Sequence, residues 1–280
     1  MRNATLAEDD SRMQAGREAR AAPDRRNLDF FRGILQATVP VGKYMMCMPL
    51  FYYDFTALLV TFVTPLERIR PLLPSPVMHA LRLTPWHGVT VFAAFEYRDT
   101  DIGPYNELSI AFPITLHKPA PVLTGLLKPM SEGMTTYIRH LPVTTEIARD
   151  LGIEHAGYPK FLADIRFDRH EDWIDCRVAE GGSHILTLSA RKGSLQAADR
   201  MRFHAVNVHY DRILYGMATA NVQRVSLSRN PSDVRLELGN HSIAQELGRL
   251  GLGRMIDCRY CPEGQLILNS VLESYELTRP

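Results

Sequence analysis

The sequence predicts an α+β protein, mainly β, with an antiparallel barrel-like core and a few peripheral helices. Three observations carry this. Strand-like runs far outnumber helical ones along the chain. Few strand–helix–strand alternations occur, which argues against a doubly wound parallel sheet. Hydrophobic residues make up 45% of the 280 positions, enough for a large core and too many for global disorder.

Residues 1–28 (MRNATLAEDDSRMQAGREARAAPDRRNL) are crowded with charge and have no apolar core of the kind a secretory leader carries. They read as a flexible charged N-terminal arm. Residues 29–280 read as a single domain, because no repeat, low-complexity linker or compositional break follows. The run from Tyr44 to Val63 (YMMCMPLFYYDFTALLVTFV) is long enough to span a membrane as a helix. Pro49 and Asp54 interrupt it, and its aromatic and β-branched content fits buried strand instead. Thr64 to Pro74 reads as a short helix, capped by Thr64, opened by Pro65 and ended by Pro71. Thr144 to His155 reads as a second helix, with Thr144 or Thr145 as cap and Ile147 and Leu151 one turn apart. Ser242 to Leu252 is the third. Glu180-Gly181-Gly182-Ser183 marks a hairpin between two strands. AVNVHYDRILYG, VQRVSLS, VRLEL and QLILNSVLESYEL read as further strands.

Composition narrows the function. A formal net charge of +1 excludes bulk electrostatic attraction to nucleic acid or a membrane surface. Four cysteines do not make a disulfide framework and fit a reducing compartment, the cytoplasm. Cys258 and Cys261 have CxxC spacing, but no second ligand pair follows, so they read as structural rather than as a zinc or redox site. His204 and His209 are five apart, which on a strand points them to opposite faces. No phosphate-binding glycine loop, HExxH or GxSxG occurs. No metal and no cofactor are expected.

Two charged residues remain as candidates for chemistry. Arginine supplies 27 of the 32 basic side chains, so each of the five lysines is an informative choice. Lys160 stands in HAGYPKFLADI, between Tyr158-Pro159 and Phe161-Leu162. Its local composition alone fits a surface lysine at a strand start. The alternative is an amine nucleophile. A free lysine, with a pKa of about 10.4, is nearly all ammonium at neutral pH, and an apolar pocket disfavours that charged form. Pro159 holds Tyr158 extended and so fixes the backbone leading into the lysine. Glu107, in DIGPYNELSIAFPITL, follows a Gly-Pro turn and precedes an apolar run. It reads either as a solvated strand end or as a carboxylate that moves protons for the amine.

Together these segments resemble the acetoacetate decarboxylase-like proteins. Gly103-Pro104-Tyr105-Asn106-Glu107 matches a Gly-x-Tyr-x-Glu signature. Arg149-Asp150-Leu151 followed by Tyr158-Pro159-Lys160-Phe161-Leu162 resembles an Arg-Glu-Leu helix leading into Tyr-Pro-Lys-Lys-Leu, with about three more residues between the two parts. The C-terminal layout is also similar, and the resemblance spans roughly residues 40–277. It implies an antiparallel β-barrel-like core with helices outside, assembly into homo-oligomers, and a small-molecule keto substrate. It implies Lys160 as a Schiff-base nucleophile, an activation of lysine already well known for acetoacetate decarboxylase, and Glu107 as its acid/base partner. Tyr158, Phe161, Tyr105 and Phe92 are the expected substrate-binding residues.

Three positions depart from the family pattern. Phe161 stands where the decarboxylases have a second lysine. No arginine occurs in YMMCMPLFYYDF, where they place one. A second glutamate falls near Phe92, with Glu96 the nearest carboxylate. The changes disfavour a small anion such as acetoacetate. They suit a keto acid or keto compound with an apolar body, decarboxylated or taken through aldol-type cleavage or condensation with dehydration. The competing expectation is a non-catalytic small-molecule-binding protein that keeps the barrel.

Overall fold

The computed structural model describes residues 26–122, 134–198, 200–271 and 273–276. A boundary between two units falls between Arg32 and Gly33. Of the first unit, residues 26–32 are described; they hold a 3-10 turn, Asp29–Phe31, closed by Arg32 donating to Asp29 at 2.7 Å. The arm expected over 1–28 lies outside the described residues as far as residue 25.

The second unit carries eighteen described strands and three α-helices. The strands are β1 (Ala37–Val41), β2 (Tyr44–Met48), β3 (Leu50–Pro65), β4 (Met78–Ala80), β5 (His87–Thr100), β6 (Tyr105–Leu116), β7 (Met134–Val143), β8 (Lys160–Leu162) and β9 (Asp164–Arg169). They continue with β10 (Trp173–Glu180), β11 (Ser183–Arg191), β12 (Gln196–Ala197), β13 (Met201–His209), β14 (Arg212–Asn221), β15 (Arg224–Ser228), β16 (Val234–Leu238), β17 (Met255–Leu268) and β18 (Glu273–Glu276). The helices are α1 (Leu66–Ile69), α2 (Glu146–Ala156) and α3 (Ser242–Leu250).

Twelve strands form one sheet, ordered β12-β15-β17-β3-β5-β6-β7-β13-β14-β18, with β4 on β6 and β8 on β7. β14 also pairs with β17, from Ala218↔Leu268 to Asn221↔Gln265, so the path returns onto its own strand. A barrel-like core is met to that extent. Pairing is antiparallel except for β7–β13 and β7–β8 among the described residues. Four strands, β16-β11-β10-β9, make a second sheet, and β1–β2 is a separate hairpin.

The long apolar run is strand, as its composition requires. β3 is buried along nearly its whole length because it pairs on both sides, with β5 and β17, and is covered on both faces. Leu58, Val60 and Phe62 enter one core cluster with the inner residues of the four-stranded sheet, such as Ile174, Val178 and Leu188. Phe55, Ala57 and Leu59 enter a second with Val41, Met46, Met48 and the α2 residues Ala148 and Leu151. Each fully buried residue of this kind contributes roughly 1.5–3 kcal/mol. Among the described residues, no helix is long and apolar enough to cross a membrane.

The turn chemistry holds. Gly181 and Gly182 carry φ of 54° and 81° between β10 and β11, the two left-handed positions of a tight hairpin. The first helix is shorter than its sequence suggests, one α turn continuing as a 3-10 turn over Arg70–Leu72, with Pro65 at the cap. All four cysteines are free. Cys258 and Cys261 sit three apart on β17 and face different clusters, and burial pushes both thiols up to about 12. That geometry joins them in neither a disulfide nor a metal site.

Candidate active site

The site forms where three sheet neighbours meet α2. β7 lies between β6 and β8. Glu107 of β6 pairs with Val143, and Lys160 of β8 with Leu141, so one strand separates the two in the sheet. The approach to Lys160 is fixed locally. Gly157 ends α2 in the left-handed region, at φ 62°, and its N–H donates to the Gly152 and Ile153 carbonyls. Tyr158 N–H also donates to Gly152 at 3.0 Å. Pro159 then restricts Tyr158 to extended backbone and feeds the chain into β8. The start of α2 is tied to the neighbour of Glu107: Asn106 N–H donates to Thr144 Oγ1 at 2.9 Å, and Thr144 N–H to Asn106 O at 3.1 Å. Thr145 holds the cap position, but its side chain caps nothing.

Lys160 Nζ lies 2.8 Å from Glu107 Oε2, with the two side chains only 7% and 11% exposed. Glu107 Oε2 is buried and makes no hydrogen bond of normal geometry, so this ion-pair contact is its close polar neighbour. The ammonium sits 5.5 Å from the centre of the Tyr105 ring and 6.0 Å from that of Tyr158, within cation–π range. Tyr52 and Tyr97 complete an aromatic surround, Tyr97 packing 4.8 Å from Tyr105 and Tyr52 sharing a 3.1 Å hydroxyl–hydroxyl hydrogen bond with it. Burial pushes all four phenols well above the usual tyrosine range, and the Glu107 charge adds to the rise. They therefore remain O–H donors at any physiological pH.

A cavity of about 30 Å³ opens beside this pair. Its wall includes Tyr52, Tyr105, Tyr158 and Lys160, the apolar residues Val41, Met48 and Leu50, and the α2 residues Gly152 and His155. That is room for about two water molecules or a compact small molecule. The wall is apolar, as the sequence suggests, but a large apolar body needs more space than this. No arginine is among its residues. Gly152 is what lets the lysine lie flat along α2: a methyl group there would come within 2.4 Å of Lys160 Cδ and 2.6 Å of Cε.

Of the six residues expected at the site, Lys160, Glu107, Tyr105 and Tyr158 come together. Phe161 and Phe92 do not. Consecutive strand residues face opposite sides, so Phe161 turns away from Lys160 and packs on the other core cluster. Phe92 is fully buried in that same cluster, 5.5 Å from Phe62. Glu96 cannot stand in for a second site carboxylate. It lies one residue out of phase with the Phe95↔Glu107 pair and is held by Arg98 and Arg169. His204 is also elsewhere, bound to the Tyr215 hydroxyl at 2.6 Å. Among the described residues, no group of three His, Cys, Asp or Glu could hold a metal.

Sequence reasoning missed Tyr52, Tyr97, Gly152 and His155. Gly152 carried a signal, since a glycine inside a helical pattern costs about 1 kcal/mol against alanine and so points to a close approach. The tyrosines gave a weaker one, because a buried phenol needs a polar partner.

Fold and site together define a class: a mainly antiparallel β protein with a buried lysine–glutamate pair beside a small apolar cavity. The family model described as Acetoacetate decarboxylase (ADC) matches residues 37–275. The chain belongs to that family. Solved structures share the fold. Acetoacetate decarboxylase from Legionella pneumophila subsp. pneumophila str. Philadelphia 1 aligns with a TM-score of 0.63 at 15% identity, over 91% of this chain and 99% of that one. Another acetoacetate decarboxylase aligns at 0.57 and 16%, over 82% and 90%. The enduracididine biosynthesis enzyme MppR complexed with pyruvate aligns at 0.57 and 12%, over 85% and 94%. No curated protein matches the sequence.

Proposed function

We propose that the protein is a lyase that forms a Schiff base between Lys160 and the carbonyl of a compact keto acid or keto compound. The observation that carries this reading is the 2.8 Å contact between Lys160 Nζ and Glu107 Oε2, buried beside an apolar cavity. An ammonium cannot attack a carbonyl, and in this reading Glu107, 2.8 Å away, takes its proton. The neutral amine adds to the carbonyl carbon, the carbonyl oxygen leaves as water, and a cationic iminium forms. That nitrogen accepts the electron pair of the neighbouring carbon–carbon bond as it breaks. From a β-keto acid the leaving group is carbon dioxide. The enamine left behind is protonated at carbon, and water hydrolyses the iminium to free the amine. The same enamine can instead attack an aldehyde, giving aldol-type condensation and dehydration. Glu107 shuttles protons in each step, and Tyr105 and Tyr158 are O–H donors around the reacting atoms.

The wall's lack of a guanidinium disfavours substrates held through a carboxylate and favours neutral carbonyl compounds. The same wall suits the second reading, a non-catalytic binding protein; the buried amine–carboxylate pair beside the cavity favours the enzyme. Free thiols suit the cytoplasm, and assembly into homo-oligomers belongs to the same reading.

The test is reductive trapping. The protein is incubated with a panel of small ketones, keto acids and aldehydes, reduced with borohydride, and the adduct mapped by mass spectrometry. A label on Lys160 that disappears in Lys160→Ala is expected. Saturable ligand binding with no label from any carbonyl would sink the enzyme reading and leave the binder.

A further inference from the structure

The cavity beside Lys160 contains one polar side chain without a role. His155 lies in the last turn of α2 and lines the cavity together with Lys160. Its Nε2 is buried and has no hydrogen-bond partner. A buried, unpaired ring nitrogen is costly, and its persistence beside a cavity calls for a partner that enters from outside. Burial lowers the imidazole's affinity for a second proton, so the ring is neutral at physiological pH. A neutral imidazole can donate or accept one hydrogen bond. It is a poor anchor for a carboxylate and a good one for a hydroxyl or a second carbonyl oxygen.

His155 lies between Arg149-Asp150-Leu151 and Tyr158-Pro159-Lys160, five residues before the lysine. The helix runs to Ala156 before Gly157 turns the chain. That last turn carries the imidazole to the cavity.

We propose that His155 is a specificity-determining residue whose Nε2 hydrogen-bonds an uncharged oxygen on the carbon next to the carbonyl that Lys160 attacks. The substrate class is then a compact α-hydroxy ketone or α-dicarbonyl rather than a simple ketone. The proposal rests on the Schiff-base reading for its chemistry, but not for its binding test.

Propane-1,2-diol presents the same neighbouring oxygens and cannot form an imine. The ring ¹⁵N resonances of His155 in the wild-type protein are followed during titration with this diol and with propan-2-ol. A saturable shift of the Nε2 resonance with the diol, and a smaller one with propan-2-ol, is expected. An unmoved Nε2 resonance, or equal shifts from both, overturns the proposal whatever Lys160 does. Borohydride trapping then supplies the chemical readout, as the ratio of Lys160 labelling by hydroxyacetone to that by acetone. His155→Leu is expected to lower the ratio about fivefold, the usual worth of one neutral hydrogen bond, and His155→Gln to keep most of it. A ratio unchanged in His155→Leu also overturns the proposal. A wild-type protein that traps no carbonyl overturns the Schiff-base reading, and the ring titration still decides the role of His155.

Discussion

Two of the carboxylates that pair with cations in this molecule, Glu246 and Glu107, are built differently. Glu246 on α3 is saturated. Arg139 on β7 donates to it through Nε at 3.0 Å and Nη2 at 2.7 Å, and His140 Nε2 lies 2.8 Å from the same carboxylate. Glu107 is starved by comparison. It is surrounded by phenyl rings and hydroxyls, has one cation at 2.8 Å, and lacks a well-directed hydrogen bond on Oε2. A saturated carboxylate is locked in its charged form and fastens two elements together. A carboxylate whose one close cation is a lysine amine beside a cavity is the arrangement that the Schiff-base proposal needs. If the proposed function holds, satisfaction separates a structural pair from a chemical one more sharply than burial does.

The largest expected effect of breaking this contrast is at Glu107. Glu107→Gln keeps the shape and removes the proton acceptor. Single-turnover imine formation at Lys160, followed by borohydride quenching, is expected to slow by about 10²–10⁴-fold. A variant that traps at the wild-type rate would make the carboxylate a packing residue and remove the distinction between the two pairs.

The next effect is smaller and splits function from stability. Gly152→Ala places a methyl group in the path of the Lys160 side chain, within 2.4 Å of Cδ. The lysine must leave its groove, and its amine leaves Glu107 with it. Trapping is expected to fall by roughly tenfold or more, since misplacement of about 1 Å costs on that scale or beyond. Alanine is the better helix former by about 1 kcal/mol, so the thermal midpoint is expected to hold or rise. Lost trapping together with a lowered midpoint would show that the groove serves packing instead.

How far the sequence reached follows the same physics. The lysine and the glutamate were legible because each sits in a short segment with an odd neighbour pattern, Tyr-Pro-Lys-Phe in one case and Gly-Pro-Tyr-Asn-Glu in the other. The strand reading of Tyr44–Val63 was legible from two interrupting residues. Phe161 misled, because adjacency along a strand means opposite faces, and the residue after Lys160 in sequence packs on the other core. Phe92 misled for a related reason: alignment to a family position does not say which cluster a side chain enters. Tyr52 and Tyr97 come from β3 and β5, and only the sheet order brings them to Tyr105 beside Lys160, while His155 arrives on the last turn of α2.

The smallest effect lies at the saturated pair, where pH is the probe. Hydrogen bonding from His140, and then from Arg139, lowers the Glu246 carboxyl to about 2. An unfolded glutamate titrates at about 4.3. The folded value lies below the unfolded one, so the stability this site contributes is fully present above about pH 4.3 and drains away as pH falls through about 2. The carboxylate is partly solvated, which holds the contribution to about 1 kcal/mol. Glu246→Gln is therefore expected to lower the urea midpoint slightly at pH 7 and to flatten the fall in stability between about pH 4.3 and 2. Lys160 trapping should be unchanged, since Glu246 is bonded to Arg139 and His140, whereas the carboxylate beside Lys160 is Glu107. If instead Glu246→Gln alters trapping while its acid unfolding curve overlays that of wild type, the roles assigned to the two carboxylates are reversed.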